Sequence, residues 1–130
     1  MTESNAEILR GGYEAYQQGD VPAVLAVFAE DIAWHVPGRN PLSGDYTGHD
    51  EVVGFFQGLG ERSNGTFGLE VQDILDNGDD KVVVLVRETG ERDGKHLDVP
   101  AVHVWRVQDG KATNFQAFFA DQYADDEFWN

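Results

Sequence analysis

Apolar residues recur at helical spacing through the first half of the chain and alternate through the second. Ile8, Leu9, Gly12, Tyr13, Ala15 and Tyr16 share one face of a helix predicted over 2–18, which Gly19-Asp20 terminates. Asp20 then caps a short second helix with Pro22 in its first turn, carrying Val24, Leu25, Val27 and Phe28 and ending near Glu30-Asp31. Residues 32–36 alternate as a strand, with Ile32, Trp34 and Val36 on one side and Ala33 and His35 on the other, and Pro37 ends it. Residues 38–48 are rich in turn formers and too long for a tight connection, so they read as a rim loop. A third helix follows over 49–59, with acids in its first turn and apolar residues at 52, 53, 55, 56 and 59.

Beyond Ser63-Asn64-Gly65 the period changes to two. Residues 67–75, 81–91, 95–107 and 111–119 read as four strands, joined by the glycine-containing turns 76–80, 92–94 and 108–110. Three helices, one strand and a four-stranded meander make an α+β fold, and 130 residues suit one domain.

One strand carries an anomaly. Val99, Ala101, His103, Trp105 and Val107 share a face, so an imidazole stands in the middle of an apolar row. Turn geometry decides its neighbours. A three-residue loop at 108–110 sets His103 opposite Phe115 and puts Phe115, Ala117 and Phe119 on its side; a two-residue turn would bring Asn114 and Gln116 there, at the cost of burying their amides. At Asp93-Gly94 a two-residue turn brings Val84 opposite His103 and Glu88 to its face, whereas a three-residue loop brings Arg87.

Charge narrows the partners. With 24 acidic against 9 basic side chains the net charge is −15, which repels nucleic acid and anionic membranes and leaves small neutral or cationic molecules. Cysteine is absent, which excludes disulfides, thiol nucleophiles and thiolate metal sites, and the four histidines lie singly, so no metal site is expected. The amino-terminal residues lack a basic and then apolar run, and no stretch approaches a membrane span, which reads as a cytoplasmic protein. Asn114, Gln116, Phe118, Val102, Val104 and Arg106 would share the opposite sheet face, half apolar, and a homodimer through that face is expected. Phe128 and Trp129 near the end of the chain are expected to fold back over the pocket mouth or onto a partner.

Segments 13–20 (YEAYQQGD), 24–34 (VLAVFAEDIAW), 35–38 (HVPG), 48–56 (GHDEVVGFF) and 102–111 (VHVWRVQDGK) together resemble the SnoaL-like branch of the nuclear transport factor 2 and ketosteroid isomerase superfamily. The resemblance implies a cone-shaped fold, three amino-terminal helices packed on a strongly curved, mixed or antiparallel sheet that encloses a pocket. It also implies a range of activities, since that scaffold holds isomerases, cyclases, epoxide hydrolases, dehydratases and plain binding proteins. In a steroid isomerase the carboxylate base precedes a proline, and Val36 occupies that position here. The isomerase's protonated aspartate falls at His103, and its helix-one tyrosine at Gly12, beside Tyr13 and Tyr16. The late-strand carboxylate of the hydrolase and cyclase relatives falls at Ala120, with Asp121 one place later.

The resulting expectation is a small-molecule enzyme of SnoaL-like type, working without a cofactor by proton transfer on an apolar carbonyl-bearing or cyclic substrate. His103 is its acid, base or oxyanion donor, Glu88 or Asp121 orients it, and Tyr16 assists. Trp34, Val36, Phe55, Trp105, Phe115 and Phe119 wall the pocket. The alternative is a binding protein that uses the same cavity without catalysis. A dimerisation module with a filled cone would have no cavity.

Overall fold

The computed structural model describes residues 3–130. Helix α1 (Asn5–Gln17) starts where the Ser4 hydroxyl accepts from the Glu7 N–H, and α2 (Val21–Ala26) where the Asp20 carboxylate accepts from the Ala23 N–H. Strand β1 (Phe28–Val36) begins four residues earlier than its alternation suggests. Then come β2 (Gly44–Thr47), α3 (Gly48–Arg62), β3 (Gly68–Asp76), β4 (Lys81–Arg92), β5 (Lys95–Gln108), β6 (Lys111–Phe119) and α4 (Gln122–Trp129).

The six strands form one sheet in the order β2-β1-β6-β5-β4-β3, parallel only between β1 and β6. The sheet curves around α1 and α3, whose Leu9, Tyr13, Val52, Phe55 and Leu59 pack with Val82, Val84, Val86, Leu97, Val99 and Val107 of its inner face. Burial alternates almost without fault along β4 and β5, as expected of strands with one face on the core.

The second helix thus stops at Ala26 rather than near Glu30-Asp31, and three further features differ from the sequence reading. The rim loop contains β2, which pairs antiparallel with β1 from Ala33–Thr47 to Val36–Gly44; four residues are too few to show a period. The end of the chain is a fourth helix, α4, capped by Asp121, whose carboxylate accepts from the Ala124 N–H. It lays Phe128 and Trp129 into the core, with Phe128 against Gly90 and Trp129 against Phe67.

The third difference lies in the β5–β6 hairpin. Its turn has two residues, Asp109 and Gly110, both at positive φ, and Gln108 pairs with Lys111. That register alone would turn Asn114 and Gln116 inward. A bulge at Thr113 absorbs one residue, so that Val107 faces Ala112 while Arg106 faces Asn114, and Phe115 and Ala117 return to the inner face. His103 therefore stands opposite Ala117, not Phe115. At the other hairpin the turn is the two-residue Asp93-Gly94, which sets Val84 opposite His103 and Glu88 on the inner face; Arg87 points outward and donates to Asp98.

Candidate functional site

Between the inner face and the helices lies a cavity of about 80 Å³, lined by the tyrosines of α1, the aromatic residues of α3 and the middle of β1, β4, β5 and β6. Since about 10–15 Å³ of such space holds one water, this volume takes several waters. Its wall is apolar except at one place. There, Tyr13, His103 and Glu88 form a row, with Trp105 at its end.

The Tyr13 hydroxyl lies 2.6 Å from His103 Nδ1 and 2.9 Å from Trp105 Nε1, and Glu88 Oε2 lies 3.5 Å from His103 Nε2. An indole can only donate, so Trp105 gives its N–H to the phenol oxygen. Burial, aided by the Glu88 charge and opposed by the Trp105 hydrogen bond, holds the Tyr13 phenol protonated well above its ordinary range. Its O–H then has one acceptor in reach, His103 Nδ1. The proton of that imidazole is thereby assigned to Nε2, which faces Glu88 across a gap longer than a good hydrogen bond. The row thus presents an N–H donor beside a carboxylate acceptor, both buried and both open to the cavity.

Tyr16 also lines the cavity but packs on Phe56 at 5.2 Å, and burial followed by the Glu88 charge pushes its phenol up to about 12. Tyr13 is the hydroxyl that reaches the histidine. Helical spacing could not choose between the two, because both share the face of Leu9. Trp34, Val36, Phe55, Trp105, Phe115 and Phe119 all line the cavity. Trp34 stacks on Phe115 with ring centroids 3.8 Å apart.

Asp121 does not join them. It is exposed, and its carboxylate is engaged in capping α4, because the strand ends two residues earlier, at Phe119. The carboxylate that the tail does bury is Asp125, 1 % exposed, accepting from Trp129 Nε1 at 3.2 Å. Burial, then the Glu88 charge, raises its carboxyl to about 7. The spacing of Asp125 to Phe128 and Trp129 was the signal available for it, since i, i+3 and i+4 share a helix face.

The remaining histidines lie elsewhere. His35 is on the outer face bonded to Asp45 at 2.6 Å, His49 is half-buried with Nε2 donating to the Phe28 carbonyl, and His96 is exposed. Among the described residues no three His, Cys, Asp or Glu side chains gather closely enough to hold a metal ion, and no helix is long and apolar enough to cross a membrane.

Known proteins share this architecture. The chain is 36 % identical to Bal32a, from a soil-derived mobile gene cassette, with a TM-score of 0.94 over 97 % of this chain and 96 % of that one. It is 28 % identical to an NTF2-like protein of unknown function from Burkholderia pseudomallei, with a TM-score of 0.87 over 99 % of both chains. It is 26 % identical to TerC, whose structure was determined from crystals grown with polyporic acid, with a TM-score of 0.84 over 95 % of this chain and 96 % of that one. The model of the SnoaL-like domain matches residues 9–115. With four-fifths of its length inside that match and its fold shared with these structures, the chain belongs to the SnoaL-like family of the NTF2-like superfamily.

Proposed function

We propose that this protein is a small-molecule enzyme that moves a proton on an apolar, carbonyl-bearing cyclic substrate. The observation that carries the proposal is the row Tyr13–His103–Glu88 opening into an otherwise apolar cavity. Tyr13 holds His103 in one tautomer, and the Nε2–H is free to polarise a carbonyl oxygen. Glu88 takes the proton as the carbon–hydrogen bond next to that carbonyl breaks; the electron pair moves into the enolate, whose oxygen His103 stabilises. Returning the proton to another carbon isomerises the substrate; attack of the enolate carbon on a second carbonyl of the same molecule closes a ring, the resulting alkoxide taking the proton back from Glu88. Tyr16 and the aromatic wall position the ligand.

The test is deuterium exchange. Apolar cyclic ketones incubated with the protein in D₂O lose their α-proton signals by NMR as exchange proceeds. Loss faster than in buffer, slowed about 100-fold or more by His103→Gln and by Glu88→Gln, is the expected result. Exchange at the buffer rate for every ketone that binds would leave the second reading, a binding protein using the cavity without chemistry. The aromatic wall favours that reading, because rings alone give affinity.

We also propose a homodimer through the outer sheet face. Phe118, 48 % exposed, pairs across β6 and β5 with half-buried Val102, next to Val104 and Gln116. Sedimentation equilibrium is expected to give twice the chain mass, and Phe118→Asp to give one.

A further inference from the structure

Among the described residues the cavity wall holds one carboxylate and no lysine or arginine. That carboxylate, Glu88, is 6 % exposed, and the one ionic partner it meets is His103, whose Nε2 lies 3.5 Å away, longer than a good hydrogen bond. Arg87, next in sequence, faces outward to Asp98, and Arg92 and Lys95 bond carbonyl oxygens of α4. The Glu88 charge is felt across the cavity, where it adds to burial in holding the phenols of Tyr13 and Tyr16 protonated. A buried carboxylate without a counter-ion is unfavourable, but folding has already stripped its water. A cation that enters therefore bears only its own desolvation. Aromatic side chains line the same cavity, Tyr13, Tyr16, Phe67 and Phe119 among them, and ring faces attract cations more strongly where water is excluded. The net charge of −15 draws cations towards the molecule and turns anions away.

We propose that the cavity binds a small alkylammonium ion, whose N–H groups donate to the Glu88 carboxylate and whose carbon frame lies among the aromatic rings. The proposal rests on the cavity being the ligand site and is independent of proton transfer. Charge-assisted hydrogen bonds to a carboxylate are among the strong ones, and Glu88 has none to give up before the ammonium arrives. Size fits as well. A cavity of about 80 Å³ takes about five to eight waters at the ratio given above, and a branched amine of about four carbons displaces about five. Held on Glu88, such an ion occupies the base and competes with a ketone for the row.

The experiment compares tert-butylammonium with tert-butanol, which has the same shape and a hydroxyl in place of the charged group. Each is titrated into the protein at about 0.15 M salt, where attraction to the surface charge is largely screened. NOEs from the tert-butyl methyl signal to the rings of Tyr13, Tyr16 and His103, all of which line the cavity, locate the bound compound. The expected result is that the ammonium binds there about tenfold or more tighter than the alcohol. Glu88→Gln is expected to erase that preference and to leave tert-butanol within about twofold. If the alcohol binds in the cavity as tightly as the ammonium, or if the preference survives Glu88→Gln, the inference is overturned while the cavity stands as a ligand site. If neither compound gives NOEs to the cavity, the ligand-site reading falls and takes this inference with it. The wild-type comparison decides the matter even if the variant does not fold.

Discussion

Two buried carboxylates, each within reach of the other's charge, are accommodated by different means. Glu88 lies 3.5 Å from an imidazole and borders the cavity. Asp125, on the buried face of α4, accepts from the Trp129 indole N–H and from the Gln122 amide, and has no cation beside it. Burial and the charge of Glu88 together raise its carboxyl to about 7, so that a proton does the work a counter-ion would do. A carboxylate meant for chemistry needs a polar neighbour and access. One that only fills a helix face can be neutral.

If the two regions divide in this way, substitutions beneath α4 should change stability and spare proton exchange, and substitutions in the row should do more to exchange. The largest effect is expected from Phe128→Ala, which empties a site that is 2 % exposed and should cost about 3–5 kcal/mol in denaturant unfolding. Ketone exchange per folded molecule should persist. Tyr13→Phe comes next, because it strips partners from both His103 Nδ1 and Trp105 Nε1. A loss of about 2–4 kcal/mol and a fall in exchange of about tenfold or more are expected; full activity would show that the phenol does not set the histidine tautomer.

Asp125→Asn isolates the proton. Because the folded value near 7 lies above an ordinary carboxyl, Asp125 contributes stability that is complete below about pH 4 and lost as pH rises to about 7. Wild type should therefore lose on the order of 2–4 kcal/mol more than the asparagine variant across that window, in unfolding curves measured at pH 4, 5.5, 7 and 8. Parallel curves would mean that Asp125 is ionised throughout. The smallest effect is expected from Asp121→Ala, which removes only the α4 cap and should cost about 1 kcal/mol without change in exchange. A large activity loss there would restore the catalytic role that the position of Asp121 near the end of the last strand first suggests.

The sequence carries some of this more plainly than the rest. Alternation along 81–107 narrows the charged neighbour of His103 to Glu88 or Arg87, because a period of two admits only two registers, and the two-residue turn seen in the structure decides for Glu88. The same reasoning fails at 108–113. A turn and a bulge are two separate choices, and only their sum shows in the apolar pattern. β2 and α4 are missed because four residues among turn formers, and eight with three acids, fall below the length at which periodicity is visible. Tyr13 and Tyr16 stay undecided for a geometric reason: one helix face carries both, and only the curvature of the sheet selects which meets the imidazole.

The crowding at Gly38 sets how α4 is held against the segment after β1. Its φ is +104°, and any side chain there would collide with Gln122 and Asp126 of α4. Asp126 Oδ1 in turn accepts from the Arg39 N–H, the Asn40 side chain and Gln122. The segment after β1 and the last helix are thereby riveted to each other around one hydrogen atom's worth of space. Moving the last helix away from that segment would break the Arg39 and Asn40 bonds to Asp126 together.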